Sequence, residues 1–187
     1  MNRREAVQHI SLLLGGTIVG STFFLNGCKN EPEKSGKEFS QEDVALLDEV
    51  SDTILPTTST PGAKAAGVGT FMTVMVNDCY DEEDQKIFHE GMNKLNEAAD
   101  KKYDKAFVDL TPEQRHEFLV ALDNEQKEYM KNKKPDDRSH YFRMMKELTL
   151  LGYFTSEIGA TQALRYVETP GRYEGCVPYK KGDKAWA

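Results

Sequence analysis

The chain has 187 residues, of which 39% are hydrophobic and 29% charged, and its formal net charge is -7. A length of this order predicts one domain with accessory segments, and the composition suits a globular body with a modest core. Nucleic-acid-binding proteins need a basic surface, so the acidic balance argues against nucleic acid as a partner.

The first 27 residues have the pattern of an export signal. Arg3 and Arg4 precede a mostly apolar run from Ile10 to Leu25, which is short for a bilayer-spanning helix of roughly 20 residues. The paired arginines and the weakly hydrophobic, glycine-bearing run resemble a twin-arginine (Tat) signal. We therefore predict export by the Tat route, with ordinary Sec export as the alternative.

The apolar run ends in Leu25-Asn26-Gly27-Cys28, which resembles a bacterial lipobox. Residues 1–27 are therefore predicted to be a cleaved signal peptide, and Cys28 is predicted to carry the lipid anchor. Residues 28–39 are rich in Glu, Lys, Pro, Ser and Gly and are predicted to be a flexible tether. The alternative is an uncleaved N-terminal anchor helix with an incidental cysteine. Both interpretations place residues 40–187 on a bacterial membrane, facing the periplasm or the outer surface.

Residues 40–187 show helical periodicity and no long strand alternation. The predicted fold class is all-α, with five to six helices, long irregular loops and an irregular C-terminal tail. Ser40 and Thr111 have the features of helix N-caps, and Pro112 and Gln114 follow Thr111 in the order of a capping box. The other helices are predicted at Val68–Cys79, from Asp81 to Ala98, at Tyr141–Gly152 and from a Ser156 cap to Leu164.

Two cysteines, Cys79 and Cys176, lie in the predicted body. In an oxidising compartment they could form a disulfide with each other or a bridge to a partner chain. The third alternative is that both are free, buried thiols that pack as small apolar side chains. The residues alone leave these alternatives open.

A search of the body for catalytic and metal-binding patterns finds none. His89, His116 and His140 fall at no metal-ligand spacing and are predicted to be surface histidines. The acidic run at 81–84 lacks the alternating order and central glycine of a calcium loop, so it is predicted to be a solvated helix start. We therefore predict no catalytic, cofactor-binding or metal-binding residue in this chain.

Two stretches are unusual for a simple helical body. One is the loop at 57–67, and the other runs from Leu150 to Gly175 and is dense in Gly, Tyr, Phe and Pro. Aromatic side chains beside turn glycines can form a rigid contact surface. The alternative is that these aromatic side chains cover the helical core.

Several segments resemble the gluconate 2-dehydrogenase subunit 3 family. After the twin-arginine signal they are, in order, ILPTTSTPGAKAAGV, DCY, AFVDLTPEQR, LTLLGYFTSEIGA and PGRYEGC. The resemblance is collinear and extends from residue 1 to about residue 178. Its most specific parts are Ile54-Leu55-Pro56 with Thr60-Pro61-Gly62-Ala63, and Gly152-Tyr153-Phe154-Thr155-Ser156.

The resemblance implies a non-catalytic small subunit of a FAD-dependent dehydrogenase of the glucose–methanol–choline type, which oxidises a sugar or gluconate. FAD is expected in the large partner subunit, and a cytochrome c subunit is a further candidate partner. The small subunit would assist maturation and export of the flavoprotein, and its lipid would attach the complex to the membrane. The alternative is a free-standing envelope lipoprotein that acts as a binding or scaffold module.

The resemblance and the irregular composition together predict that the 57–67 loop and the 150–176 segment face the large subunit. The predicted interface residues are Pro61, Gly62, Tyr153, Phe154, Ser156, Pro170, Gly171 and Tyr173. Because Cys79 and Cys176 lie within matching segments, the resemblance also favours a bonding role for them, without identifying their partner.

Overall fold

The computed structural model describes residues 38–187, so the predicted signal peptide, Cys28 and most of the predicted tether lie outside the described residues. Five α-helices occur in this part of the chain: α1 (Gln41–Ile54), α2 (Val68–Cys79), α3 (Glu82–Tyr103), α4 (Pro112–Asn132) and α5 (Tyr141–Thr155). A 3-10 helix at Phe107–Asp109 and a π-helical turn at Gly159–Ala163 complete the helical elements. Residues 38–187 contain no strand, and the all-α prediction is confirmed.

Side-chain caps set two of the helix starts that the sequence predicts. The Asp43 backbone N–H donates to Ser40 Oγ at 3.1 Å, and the Ser40 N–H donates to the Asp43 carboxylate at 2.9 Å. Thr111 and Gln114 form the same reciprocal pair at the start of α4, where Pro112 holds the first helical position. These capping boxes satisfy N–H groups that a helix start otherwise leaves unpaired.

The five helices share one apolar core, and α5 contacts all four of the others. Each helix turns an apolar face inward, as expected for amphipathic helices around a common centre. The largest fully buried apolar side chains are those of Phe88, Phe107, Phe142, Leu47, Met72, Leu95 and Met145. Within residues 38–187, no helix combines the length and the apolar character that a membrane crossing requires.

The folded body begins before the predicted boundary at residue 40. The ring of Phe39 lies 6.2 Å from that of Phe88 in an edge contact and stacks on His89 at 4.2 Å. The last residue of the predicted tether is therefore packed on α3, because its aromatic side chain gains more from contact with the core than from solvent.

The prediction of surface histidines is wrong for His140, whose side chain is only 10% exposed. His140 lies at the N-terminus of α5, where its Nδ1 accepts a 3.2 Å hydrogen bond from the Phe142 N–H. Burial lowers the pKa of this imidazole, although Glu125 nearby acts in the opposite direction. A neutral ring suits this position, because a protonated nitrogen could not accept the hydrogen bond.

Candidate partner interface

The two predicted interface stretches meet at Tyr153. Its hydroxyl donates a 2.8 Å hydrogen bond to the Pro61 carbonyl oxygen and lies 3.3 Å from Thr60 Oγ1. Tyr153 belongs to α5, whereas Pro61 and Thr60 belong to the 57–67 loop. The loop is therefore folded against the C-terminal half of α5.

Gly62 occupies a space that admits no side chain. Its N–H donates to Thr57 Oγ1 at 3.0 Å. A Cβ atom added to Gly62 would lie 2.5 Å from Asp52 Oδ1 and 2.9 Å from the Leu55 carbonyl oxygen. Glycine is needed here because the loop returns directly against the end of α1.

Two acidic residues of α1 bind the C-terminal part of the 57–67 loop and the start of α2. Asp48 Oδ1 accepts a 3.0 Å hydrogen bond from the Gly69 N–H at the start of α2. Glu49 forms ion pairs with Lys64 of the loop, at 2.5 Å, and with Arg115 of α4. Burial works to raise the pKa of Glu49, but its ion pairs with Lys64 and Arg115 outweigh burial and lower that pKa.

Ser156 ends α5 and positions the turn that follows. Its hydroxyl donates to the Tyr153 carbonyl oxygen at 2.6 Å and accepts from the Gly159 N–H at 3.0 Å. A helical element follows Ser156, where the sequence predicts a sixth helix, although it is a π-helical turn rather than an α-helix.

The eight predicted interface residues differ in exposure. Gly62 and Tyr153 are buried, and Pro61 and Ser156 are half-buried. The exposed residues are Phe154, Pro170, Gly171 and Tyr173. A buried residue can serve a partner surface only by holding its exposed neighbours in position. Phe154 is such a neighbour, because its ring makes an edge contact with that of Tyr153 at 5.2 Å.

The C-terminal tail, which the sequence predicts to be irregular, is a closed loop. The Arg165 N–H donates to the Ala185 carbonyl oxygen at 2.8 Å, and the Ala187 N–H donates to the Arg165 carbonyl oxygen at 3.0 Å. The Arg165 guanidinium lies 4.4 Å from the centre of the Trp186 ring, a cation–π contact. We call residues 165–187 the C-terminal loop.

A comparison with protein families matches residues 41–171 to the family described as gluconate 2-dehydrogenase subunit 3. The chain belongs to this family. The match includes all five α-helices, the 57–67 loop and the π-helical turn, and it ends inside the C-terminal loop. The family is a subunit of a gluconate dehydrogenase complex, which implies a catalytic partner subunit. No curated protein and no solved structure matches the chain.

Cys79 and Cys176, the two cysteines in the described part of this subunit 3 chain, are free and exposed. Cys79 ends α2, with its Sγ 4.0 Å from Met75 Sδ, and Cys176 lies in the C-terminal loop. The alternative of two buried thiols is therefore wrong. A disulfide between the cysteines, or a bridge to a partner chain, stays a prediction.

The acidic run at the start of α3 forms a contact that the sequence does not indicate. Arg138, in the loop after α4, forms ion pairs with Asp81 at 2.6 Å, Glu83 at 2.8 Å and Asp84 at 3.2 Å. The acidic run at 81–84 therefore starts α3, as predicted, and in addition joins the loop after α4 to this helix. In the part of the chain that the structure describes, no group of three or more His, Cys, Asp or Glu side chains could hold a metal ion.

The sequence does not single out the residues that fix the 57–67 loop and the C-terminal loop, which are Asp48, Glu49, Arg115, Arg165 and Trp186. The first three look like ordinary charged positions on amphipathic helices, so they carry no separate signal. Trp186 is the single tryptophan of the chain, and its place in a polar tail was the one available signal.

Proposed function

We propose that this chain is the non-catalytic small subunit of a FAD-dependent dehydrogenase of the glucose–methanol–choline type that oxidises gluconate or a related sugar. The observation that carries the proposal is the match of residues 41–171 to a family named for a dehydrogenase subunit. The polar side chains of Glu49, Arg138 and His140 are engaged with the chain's own loops and helix ends.

Exposed apolar side chains support a contact surface on α5 and the C-terminal loop. They occur on the C-terminal half of α5 and through the C-terminal loop, at Leu150, Leu151, Phe154, Tyr166, Val167, Tyr173, Val177, Tyr179 and Trp186. Extended apolar patches mark interaction sites, and aromatic side chains are enriched at the centres of protein interfaces. The large subunit, which would hold FAD, is therefore expected to cover these residues.

The N-terminal residues support a role in export and attachment. Tat moves folded proteins, and flavin is inserted in the cytoplasm, so a large subunit without its own signal could be exported with this chain through Arg3 and Arg4. The lipid on Cys28 would then hold the complex at the membrane, where a cytochrome c subunit is a candidate electron acceptor. Acyl chains on one cysteine can provide this anchoring without a membrane-spanning helix.

A free-standing envelope lipoprotein is the second candidate function. The complete core favours it, because Phe88, Phe107 and Phe142 are fully buried within the chain itself. A body that buries its own apolar side chains does not need a partner in order to fold. Such a lipoprotein would use the same exposed surface to bind or to scaffold another molecule.

Purification of the tagged full-length chain from its native membranes in mild detergent separates the two functions. If the chain is a dehydrogenase subunit, the eluate should be yellow and contain a stoichiometric flavoprotein. It should also reduce a dye when gluconate or a sugar is added. A colourless chain alone, under conditions that keep other membrane complexes intact, supports the free lipoprotein. The matched variant Cys28→Ser tests the lipid anchor, since mass spectrometry should find a lipid-modified cysteine in the wild type and none in the variant.

A further inference from the structure

We propose that the C-terminal loop is a preformed hook that docks on an acidic surface of the catalytic flavoprotein subunit, with Tyr173 and Tyr179 as its anchors. This inference rests on the proposed function and specifies the surface through which the partner is held. It also extends beyond the family match, which ends at residue 171, before most of the loop.

The base of the hook is closed before any partner binds. Beside the two backbone hydrogen bonds and the stacking of Arg165 on Trp186, Arg165 Nε donates to the Lys184 carbonyl oxygen at 2.7 Å. Lys184 Nζ in turn donates to the Gln162 carbonyl oxygen of the π-helical turn. A loop that is already closed loses less conformational entropy on binding than an open tail, so closure favours affinity.

The hook presents aromatic side chains to solvent. Tyr173 is 95% exposed and Tyr179 is 75% exposed, so neither ring stabilises the isolated fold appreciably. The loop also borders a concave space of about 970 Å³, lined by Val167, Tyr173, Val177 and Trp186 together with neighbouring loop residues. Projecting tyrosines beside a concavity of mixed polar and apolar lining suit a protein surface that offers both a pocket and a protruding side chain.

Charge indicates the chemistry of the partner surface. Residues 165–187 contain five Lys and Arg against three Asp and Glu, a net charge of +2. Residues 38–164 contain 14 Lys and Arg against 25 Asp and Glu, a net charge of -11. Arg172 pairs with Glu174, and Arg165 and Lys184 close the base of the loop, so Lys180 and Lys181 are the cations available to a partner that is acidic where it meets the loop.

A second copy of this chain also offers an acidic body, so self-association is the rival occupant. The flavoprotein is favoured because the family implies a catalytic partner subunit.

Photo-crosslinking in the purified complex tests which molecule meets the hook. Benzoylphenylalanine replaces Tyr173 or Tyr179 in the full-length chain, and the products are identified by mass spectrometry. The matched control is the same replacement at Tyr129, a 42% exposed tyrosine on α4. We expect crosslinks to the flavoprotein from positions 173 and 179, and background yield from position 129.

Binding measurements with variants test the energetic role of the hook. The double variant Tyr173→Ala/Tyr179→Ala should bind the purified flavoprotein at least about tenfold more weakly, as expected for aromatic anchors. Its unfolding midpoint should equal that of the wild type, since both side chains are exposed. Charge reversal by Lys180→Glu/Lys181→Glu should also weaken binding, most strongly at low salt.

The outcomes distinguish this inference from the proposed function. If the flavoprotein co-purifies with the wild type but binds the double variant equally well, the hook is overturned and the subunit function stands. Crosslinks from positions 173 and 179 to a second copy of the chain, or to lipid alone, overturn the hook in the same way. If no flavoprotein co-purifies with the wild type, both proposals fall.

Discussion

Tyr153 and Pro61 are joined by a 2.8 Å hydrogen bond from the tyrosine hydroxyl to the proline carbonyl oxygen. Tyr153 is only 4% exposed, so water has little access to replace the hydroxyl if it is removed. The two segments with the most specific resemblance to the family are therefore one structural unit, in which α5 supports the 57–67 loop.

The variant Tyr153→Phe removes this hydrogen bond and keeps the ring. We expect the free energy of unfolding to fall by about 1 kcal/mol, and amide exchange in the 57–67 loop to become faster. Urea denaturation and hydrogen exchange measure the two effects. Tyr129→Phe is the control, because Tyr129 is 42% exposed and its hydroxyl donates to the Arg138 carbonyl oxygen at 3.1 Å. Equal losses in the two variants would contradict a special role for the bond to Pro61.

Gly62→Ala tests the close return of the loop to α1. The added methyl group would overlap Asp52 Oδ1 and the Leu55 carbonyl oxygen, so we expect destabilisation by about 1–3 kcal/mol in thermal unfolding. Gly171→Ala is the matched control, because a Cβ atom there would meet no atom within 4 Å. That variant should change stability by less than about 0.5 kcal/mol. Similar effects at both glycines would argue against the close packing of Gly62.

Asp123 gives the fold a defined dependence on pH. Its carboxylate lies 2.6 Å from both Lys127 Nζ and Lys146 Nζ, and Gln126 Nε2 donates to it at 3.1 Å. Burial works to raise the pKa of Asp123, but these three partners outweigh burial and lower it from 3.8 to about 2. Because the folded pKa is the lower one, ionised Asp123 stabilises the fold above pH 3.8, and this contribution disappears as the pH falls towards 2.

The variant Asp123→Asn should therefore lose about 1 kcal/mol of unfolding free energy at pH 7, and its difference from the wild type should shrink towards pH 2. Urea denaturation at several pH values measures this difference. Glu117→Gln is the control, since Glu117 is an exposed carboxylate paired with Lys102. A pH-independent loss in Asp123→Asn would mean that packing, rather than charge, stabilises this position.

Phe154→Ala separates assembly from folding. The Phe154 side chain is 38% exposed and packs on Tyr153, so its removal should lower the unfolding midpoint moderately. Well below that midpoint, where the variant is folded, it should weaken co-purification of the flavoprotein several-fold. Val120→Ala is the control, because Val120 is 47% exposed on α4. Undiminished co-purification of the Phe154 variant would remove this part of α5 from the predicted interface.

The state of the two cysteines can be measured directly. Because Cys79 and Cys176 are free and exposed in the structure, both thiols of the isolated, reduced body should react with a small alkylating reagent without denaturant. Mass spectrometry counts the added groups. The same labelling on the chain from native membranes tests the predicted bridges, since a disulfide would protect one or both cysteines until a reductant is added.

The sequence by itself determined the helical class and the starts of α1 and α4. Ser40 with Asp43, and Thr111 with Gln114, are three residues apart, so their capping contacts depend only on the local chain. The apolar stripes that face the core are local as well, because helical periodicity follows from side chains three and four positions apart. The family membership also follows from the order of short segments along the chain.

The tertiary structure alone decided which distant residues meet. Nothing local in Tyr153 indicates that its hydroxyl reaches Pro61, and nothing local in Arg165 indicates that it stacks on Trp186. Likewise, the three histidines look alike in sequence, yet His116 is exposed, whereas packing half-buries His89 and His140. Such contacts depend on the path of the whole chain, because the residues that make them are brought together by the core rather than by their neighbours in sequence.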